Sequence, residues 1–223
     1  MINNNKKYIN ASPIYINNEK YFIATQGPIK ETIEDFWTMI DENNSNVIVM
    51  LCNEKENGNE KCSNYWSGKI KLKKYTIKEE NIIKKNKYII REIKLINNLT
   101  KNEKLVKQIN FIGWPDHDAP NVEDGKIFDI FNIIINKVDE YKKNNPIVVH
   151  CSAGVGRTGT FISMYCLNKE IKKQIKDNDN EIQFSIFNFV RKLKEMRQNS
   201  VQTLLQYYFI YLYVNHLLLT YNN

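Results

Sequence analysis

The feature that most constrains the fold is an apolar strand that leads through a glycine-rich loop into a long apolar helix. Residues 146–150, Pro-Ile-Val-Val-His, lack the alternation of a half-exposed strand, and such runs are typical of strands covered on both faces. From about residue 157 to residue 176, apolar side chains lie nearly all round the predicted helix, so we expect that helix to be central. A covered strand needs helices on both faces of its sheet. The sequence therefore predicts an α/β fold, a twisted mixed β-sheet flanked by helices.

The remaining sequence divides into a strand-rich half followed by a helix-rich half. Several of the predicted strands alternate polar and apolar residues, as half-buried antiparallel strands do, and Asn57-Gly58 supplies a turn between two of them. The predicted strands are residues 21–26, 46–52, 69–75, 87–96 and 104–113. The predicted helices are residues 31–43, 123–143, 157–176, 185–196 and 204–219. At about 150 residues per domain, a sequence of 223 residues favours one large domain, so we predict a single domain over residues 1–223.

Composition limits where the protein works and what it binds. Four cysteines in 223 residues do not make a secreted disulfide framework, and the first residues lack the apolar run of a signal peptide. The longest apolar stretch, residues 204–219, is too short and too polar to span a bilayer. The net charge is +7, but the lysines accompany many Asn and Ile residues with similar A- and T-rich codons and do not cluster with aromatics. We therefore expect a cytoplasmic monomer with no membrane span and no nucleic-acid partner.

The loop after the apolar strand carries the candidate chemistry. A strand-to-helix loop of small residues points its backbone N–H groups inward, toward the positive end of the helix dipole, and so forms a phosphate-sized anion cradle. Those donors would stabilise a thiolate at Cys151, and Arg157 could place its planar fork on two oxygens of the same anion. The small or apolar residues between them are Ser152, Ala153, Gly154, Val155 and Gly156.

The sequence of this loop has two other interpretations. Residues 154–159 match the dinucleotide fingerprint G-x-G-x-x-G, with Asp177 about 20 residues further on. That fingerprint normally opens a domain and its acidic residue ends a strand, whereas this loop comes late and Asp177 lies in a polar run. A lone cysteine after an apolar strand is usually a small buried hydrophobe. Here the arginine six positions later and the glycine-rich loop between them favour the anion cradle.

The segment His150-Cys-Ser-Ala-Gly-Val-Gly-Arg-Thr-Gly159 resembles the signature loop of the tyrosine-specific, cysteine-dependent protein tyrosine phosphatases. It is more specific than the bare C-x5-R pattern shared with dual-specificity enzymes. Other segments resemble the same family in the expected order, from residue 8 to the last helix. These are Tyr8-Ile-Asn-Ala-Ser12, Thr25-Gln-Gly-Pro28, Phe36-Trp37, Lys61-Cys-x-x-Tyr-Trp66, Trp114-Pro-Asp116 and Val201-Gln-Thr203 with Gln206.

The resemblance implies a role for each acid near Trp114. Asp116 would be the general acid that protonates the leaving phenolate and then the general base for water, on a loop that closes over substrate. Asp118 is the competing carboxylate. Asp116 is preferred as the acid because it directly follows Trp-Pro, and we expect Asp118 to face solvent.

The resemblance also assigns supporting residues around the cradle. Glu56 would orient Arg157, and Lys61 would steady the acid loop. The alternative is that Glu56 and Lys61 form a solvated pair on the surface. Gln202 would position the hydrolytic water, and we expect Gln206 to lie one helical turn away on the same face.

Further supporting roles follow from the same resemblance. Thr158 would assist the departing thiolate, and His150 and Arg197 would brace the site. Lys194 stands where the family often has another arginine. Asn10 and Gln26 are expected to be structural, and Cys62 could lie near the active site.

The resemblance implies hydrolysis of phosphotyrosine in proteins through a cysteinyl-phosphate, with no metal or cofactor. One departure concerns the pocket wall. Family domains begin with helices and a Lys-Asn-x-Tyr loop that packs on the substrate ring, and neither is found between Met1 and Tyr8. The alternatives are therefore a catalytically weak phosphotyrosine-binding pseudophosphatase and a phosphatase with relaxed, dual specificity.

Overall fold

The computed structural model describes residues 8–115, 118–122, 126–177 and 182–221, and all structural statements concern these ranges. The helices are α1 Ile33–Glu42, α2 Lys126–Tyr141, α3 Gly156–Lys176, α4 Ile186–Met196 and α5 Leu204–Tyr221. The strands are β1 Ala11–Ile16, β2 Glu19–Gln26, β3 Val47–Met50, β4 Lys55–Glu56, β5 Asn59–Glu60, β6 Lys69–Lys71, β7 Tyr75–Lys84, β8 Tyr88–Asn97, β9 Glu103–Phe111 and β10 Ile147–Cys151. None of the helices in these ranges is long and apolar enough to cross a membrane.

Eight strands form one mixed sheet in the order β1-β2-β10-β3-β9-β8-β7-β6. The central strands β2, β10, β3 and β9 run parallel, and both outer parts of the sheet are antiparallel. Every residue of β10 is buried, as its continuous apolar sequence requires. The predicted α/β fold with a twisted mixed sheet flanked by helices is confirmed.

The long helix α3 is the central helix that the sequence predicted. Most of its side chains are buried, and it packs against α5, α4 and β10. Because α3 begins only five residues after the end of β10, its N-terminus faces the carboxyl end of that strand. This arrangement puts the intervening loop at the carboxyl edge of the parallel strands, where open α/β sheets bind their ligands.

Two strand predictions need correction. The single strand predicted over residues 69–75 is two strands, β6 and β7, joined by a turn in which the Leu72 amide donates to the Tyr75 carbonyl. The middle of β7 carries the charged residues Lys78, Glu79 and Glu80, and the strand conformation beyond residue 77 depends on pairing along β8. Strand β1 was not predicted because Pro13 interrupts it. It lies at the edge of the sheet, where proline is tolerated.

The turn predicted at Asn57-Gly58 is confirmed and has a direct consequence for the site. Both residues have positive φ, +48° and +80°, as the two-residue hairpin turn of the I′ type requires. The turn pairs β4 with β5, and Glu56 is the last residue of β4. The hairpin therefore fixes where the Glu56 carboxylate lies relative to the sheet.

Candidate active site

Cys151 is the last residue of β10 and lies at the bottom of the loop that leads into α3. Its side chain is buried, and its Sγ accepts hydrogen bonds from the Gly154 amide at 3.2 Å and the Thr158 hydroxyl at 3.3 Å. Both donors point at the sulfur, and the N-terminus of α3 begins beside it. These contacts favour the negatively charged form of the sulfur, which is the nucleophilic form of cysteine.

The loop conformation depends on Gly154. Its φ is +71°, and a Cβ added there would lie only 2.0 Å from the Thr25 carbonyl oxygen. A residue with a side chain would have to shift either β2 or the loop. Glycine at this position therefore lets the Gly154 amide turn toward Cys151.

Arg197 holds the outer side of the same loop. Its guanidinium donates to the carbonyl oxygens of Ala153 and Gly154, which keeps those carbonyls turned away from the cradle. It also donates to Asn10 and Ser12 of the N-terminal segment, at 3.1 Å each. Burial lowers the pKa of Arg197, and the nearby Cys151 opposes that shift because a negative sulfur favours the cation.

Arg157 lies in the first turn of α3 and is fixed by Glu56. Its two terminal nitrogens donate to the two carboxylate oxygens of Glu56 at 2.7 and 2.8 Å, a bidentate charge-assisted pair. Only 3% of the Arg157 side chain and 9% of the Glu56 side chain are exposed. The Asn53 amide donates to the same carboxylate, and the Leu51 carbonyl accepts from Arg157. Glu56 is therefore a buried partner of Arg157 rather than a solvated side chain.

The segment that leads to the predicted acid is anchored at Trp114. The Trp114 ring is buried against Phe111, Phe131 and Phe209, and its Nε1 donates to the Asp118 carbonyl at 2.9 Å. The Trp114 carbonyl lies 3.4 Å from the Arg157 guanidinium, so the start of this segment is tied to the cradle. Asp118 is exposed, and its carboxylate accepts from the Ala119 amide. Asp116 lies outside the described residues.

The two predicted glutamines meet in an arrangement that differs from the prediction. Gln202 precedes α5 and is exposed, so the expectation that it shares a helical face with Gln206 is wrong. Gln206 is buried, and its Oε1 accepts from the amides of Gln202 and Thr203 at 2.9 and 3.3 Å. The Thr203 hydroxyl accepts from the Gln206 amide, which completes a capping box. The Thr-x-x-Gln pattern of residues 203–206 is the sequence signal that could have located this helix start.

Nine of the predicted site residues line one open cleft. The Gln206 amide packs against Gly156, where an added Cβ would lie 2.8 Å from its Oε1. Within the described ranges, no three His, Cys, Asp or Glu side chains are grouped so that they could hold a metal ion. The cleft is lined by Lys61, Cys151, Ser152, Ala153, Val155, Gly156, Arg157, Gln202 and Gln206.

Behind the cleft, His150 is fully buried and contacts the backbone of its neighbour. Its Nδ1 lies 3.0 Å from the Cys151 carbonyl oxygen, and its Nε2 lies 2.7 Å from the Tyr65 hydroxyl. Tyr65 is a further residue of the site that the sequence did not single out, although it lies within one of the segments that carry the resemblance. Lys194 donates to the Val201 carbonyl beside Gln202, and Asn10 donates to Gln26.

All four cysteines are free, and the three besides Cys151 are Cys52, Cys62 and Cys166. Cys62 is buried behind the loop, since a Cβ added at Gly27 would contact both its sulfur and the Cys151 carbonyl oxygen. A hydrogen bond with the Cys62 thiol, together with burial, raises the pKa of Cys52. Burial also raises the pKa of Cys166.

The buried pair of Glu56 and Arg157 predicts a measurable loss when the charge of Glu56 is removed. Glu56→Gln keeps the shape of the side chain but leaves the guanidinium in a buried position without its counter-charge. We expect the free energy of unfolding to fall by about 3 kcal/mol. We expect kcat for a small aryl phosphate to fall roughly tenfold or more, because Arg157 is no longer held in place. Denaturant unfolding and initial rates measure the two effects.

Glu60→Gln is the matched control for this experiment. Glu60 lies in the partner strand of the same hairpin, is exposed, and accepts from the Ser63 hydroxyl. The control variant is expected to keep wild-type rates. Equal behaviour of the two variants would show that the charge of Glu56 does not position Arg157.

Comparisons with known proteins agree with this geometry. Residues 1–216 match the family model for the protein-tyrosine phosphatase domain, and the chain belongs to that family. It is 40% identical over 213 residues to human tyrosine-protein phosphatase non-receptor type 20, covering 92% of this chain and 48% of the relative. It is 38% identical over 214 residues to mouse receptor-type tyrosine-protein phosphatase alpha, covering 93% of this chain and 24% of the relative. The chain thus spans half or less of the length of these relatives.

A solved structure shows the same fold. The chain of PTPN18 in complex with HER2 phosphopeptides superposes with a TM-score of 0.85 at 28% sequence identity, covering 96% of this chain and 72% of that one. Structural neighbours of this chain are therefore catalytic domains of tyrosine phosphatases.

Proposed function

We propose that this chain is a cysteine-dependent protein tyrosine phosphatase that hydrolyses phosphotyrosine in proteins through a cysteinyl-phosphate. The observation that carries the proposal is the position of the Cys151 sulfur at the bottom of an open cleft. It receives two hydrogen bonds there, beside a helix N-terminus and an arginine that is locked by a buried carboxylate. Such a site combines a nucleophile with donors for a dianionic phosphoryl group.

In the first step, the Cys151 thiolate attacks phosphorus in line with the bond to the tyrosine oxygen. The S–P bond forms as the P–O bond breaks, and the electron pair leaves with the phenolic oxygen. Asp116 would donate the proton that this oxygen needs. Arg157 and the inward amides of the loop would stabilise the equatorial oxygens, whose negative charge the transition state retains.

In the second step, water attacks the cysteinyl-phosphate and the thiolate leaves. Gln202, at the rim of the same cleft, would position this water, and Asp116 would now accept its proton. The Thr158 hydroxyl is 3.3 Å from the Cys151 sulfur, so it can stabilise the negative charge that returns to sulfur. Phosphate is released and the enzyme regains its starting state.

The proposed substrates are phosphotyrosine-containing proteins. The relative solved with HER2 phosphopeptides supports this substrate class. We further propose a cytoplasmic place of action, which the non-receptor name of the type 20 relative supports. The monomeric state stays a prediction.

Paired peptides that differ only in the phosphorylated residue test this function. We expect kcat/KM for the phosphotyrosine peptide to exceed that for the phosphoserine peptide by roughly 10²-fold or more. The reason is that the longer phenyl side chain carries the phosphate to Cys151 at the bottom of the cleft, whereas serine holds it near the peptide backbone. Addition of a metal chelator should leave both rates unchanged.

Each other outcome identifies a different function. Comparable turnover of both peptides would indicate the relaxed, dual-specificity alternative. Binding of the phosphotyrosine peptide without turnover would indicate a pseudophosphatase. Loss of activity with chelator would contradict the metal-independent mechanism.

A further inference from the structure

A chain of buried hydrogen bonds runs from Arg91 to the backbone of Cys151, and the mechanism above does not account for it. Arg91 donates to the Gln108 Oε1 at 2.7 Å, and the Gln108 Nε2 lies 2.8 Å from the Tyr65 hydroxyl. That hydroxyl lies 2.7 Å from the His150 Nε2, and the His150 Nδ1 lies 3.0 Å from the Cys151 carbonyl oxygen. The three middle side chains are fully buried, so the chain is shielded from solvent.

The direction of every bond in this chain follows from its two ends. A guanidinium only donates, so the amide oxygen of Gln108 faces Arg91 and its NH₂ group donates to Tyr65. The Cys151 carbonyl only accepts, so His150 carries a proton on Nδ1. In the neutral imidazole the Nε2 then accepts from the Tyr65 hydroxyl. All four donors therefore point toward Cys151, and aligned hydrogen bonds of this kind polarise one another.

Arg91 is held at the far end of the chain by three further contacts. Its Nε lies 3.3 Å from a Glu79 carboxylate oxygen, its guanidinium lies 5.0 Å from the centroid of the Trp66 ring, and it also approaches Asn110 at 3.4 Å. Burial lowers the pKa of Arg91 and Glu79 opposes the shift, but an arginine stays protonated at neutral pH. Glu79 offsets the charge of Arg91 at long range. We therefore expect Arg91 to act on Cys151 mainly through the chain of hydrogen bonds.

Other titratable or charged groups surround the two ends of the chain. On the side of Tyr65 and His150 these are thiols, and Cys52 stays protonated because the Cys62 thiol and burial raise its pKa. On the cleft side they are cations that remain in place when the chain is altered. Among the residues that the structure describes, these groups are Cys52, Cys62, Glu79, Lys61, Arg157 with its partner Glu56, and Arg197.

We infer that Arg91 and Gln108 are positioning residues for the nucleophile, which stabilise the Cys151 thiolate by aligning Tyr65 and His150 on its peptide unit. This inference rests on the phosphatase function proposed above. Neither Arg91 nor Gln108 lines the cleft. The inference predicts that substituting either residue changes the ionisation of Cys151 and leaves the residues that line the cleft in place.

Alkylation of Cys151 by iodoacetamide tests the inference without relying on phosphatase activity. Only the thiolate reacts, so the pH at half-maximal rate reports its ionisation, and mass spectrometry assigns the modified residue. In Arg91→Met we expect this pH to rise by about half a unit, equivalent to roughly threefold slower alkylation below the midpoint. Arg191→Met is the matched control, because that exposed arginine pairs with Glu195 on the surface of α4. It should leave the midpoint unchanged.

Two further variants separate transmission through the chain from a field through space. Gln108→Met cuts the chain and should give the same rise as Arg91→Met. In a Tyr65→Phe background, Arg91→Met should add no further rise, because the chain is already cut. Arg91→Lys keeps a donor and a charge and should restore part of the shift.

The outcomes are distinguishable even where a variant is unstable. If Arg91→Met does not fold, the pH at half-maximal alkylation is compared between Gln108→Met and Tyr65→Phe, which cut the same chain. An unshifted midpoint in folded Gln108→Met overturns the inference. Additive shifts in the Tyr65→Phe background would also overturn it. A shifted midpoint in a protein that lacks phosphatase activity would leave the inference standing and refute the proposed function.

Discussion

Cys151→Ser is expected to lower kcat for para-nitrophenyl phosphate by at least about 10⁴-fold, because it removes the nucleophile on which the whole reaction depends. A serine hydroxyl does not ionise near neutral pH, so the two donors at 3.2 and 3.3 Å from the sulfur have no anion to stabilise. Arg157 and the loop amides remain, and a phosphotyrosine peptide should still bind. Initial rates and calorimetric titration with the peptide measure both properties.

Cys166→Ser is the matched control for this substitution. Burial raises the pKa of the Cys166 thiol, which lies in α3 away from the cleft residues, so it is a poor nucleophile. The control variant should keep its turnover even if its thermal midpoint falls. Retention of full activity in Cys151→Ser would overturn the proposed mechanism.

Asp116→Ala is expected to lower kcat for phosphotyrosine peptides by roughly 10²–10⁴-fold, the usual contribution of a general acid. Tyrosine is a poor leaving group unless its oxygen is protonated, so the loss should be smaller for para-nitrophenyl phosphate, whose leaving group is more acidic. The wild-type decline of kcat at high pH, where the acid has lost its proton, should flatten in the variant. Binding should survive, so the variant should retain phosphotyrosine peptides.

Asp118→Ala is the matched control two residues away. The Asp118 carboxylate is exposed and accepts from the Ala119 amide, so its loss should affect the local turn rather than the reaction. We expect wild-type pH dependence and at most a small decrease in kcat. If the losses occur in Asp118→Ala instead, the assignment of the acid within this segment is wrong.

Local sequence was sufficient for the central elements and the cradle. The apolar run of residues 146–150 predicted a strand covered on both faces, and β10 is that strand. Small residues between Cys151 and Arg157 predicted a loop whose amides turn inward, and the Gly154 amide does so. The turn at Asn57-Gly58 was equally predictable, since few other pairs adopt two positive φ values.

Strands β1 and the outer half of β7 were not predictable in this way. Pro13 and the charged residues of β7 have a low local preference for strand, so the local sequence predicts a loop there. Both segments are extended because each pairs with a neighbouring strand. The error at Gln202 and Gln206 was of another kind, because the local capping pattern of residues 203–206 was present in the sequence. Their spacing suggested one helical face, whereas the helix begins only at Leu204, where the Thr203 cap stops it from extending further back.

The sequence by itself determined the central strand and helix, the loop between them and the candidate nucleophile, because these depend on residues that are neighbours along the chain. Only the tertiary structure decided which distant groups act on that loop. Glu56 reaches Arg157 across 101 residues, and Arg197 reaches Asn10 across 187. Tyr65 meets His150 only because α1, β3 and β10 pack their buried faces together around them. Burial strengthens each of these polar contacts by excluding water, and burial is a property of the folded chain.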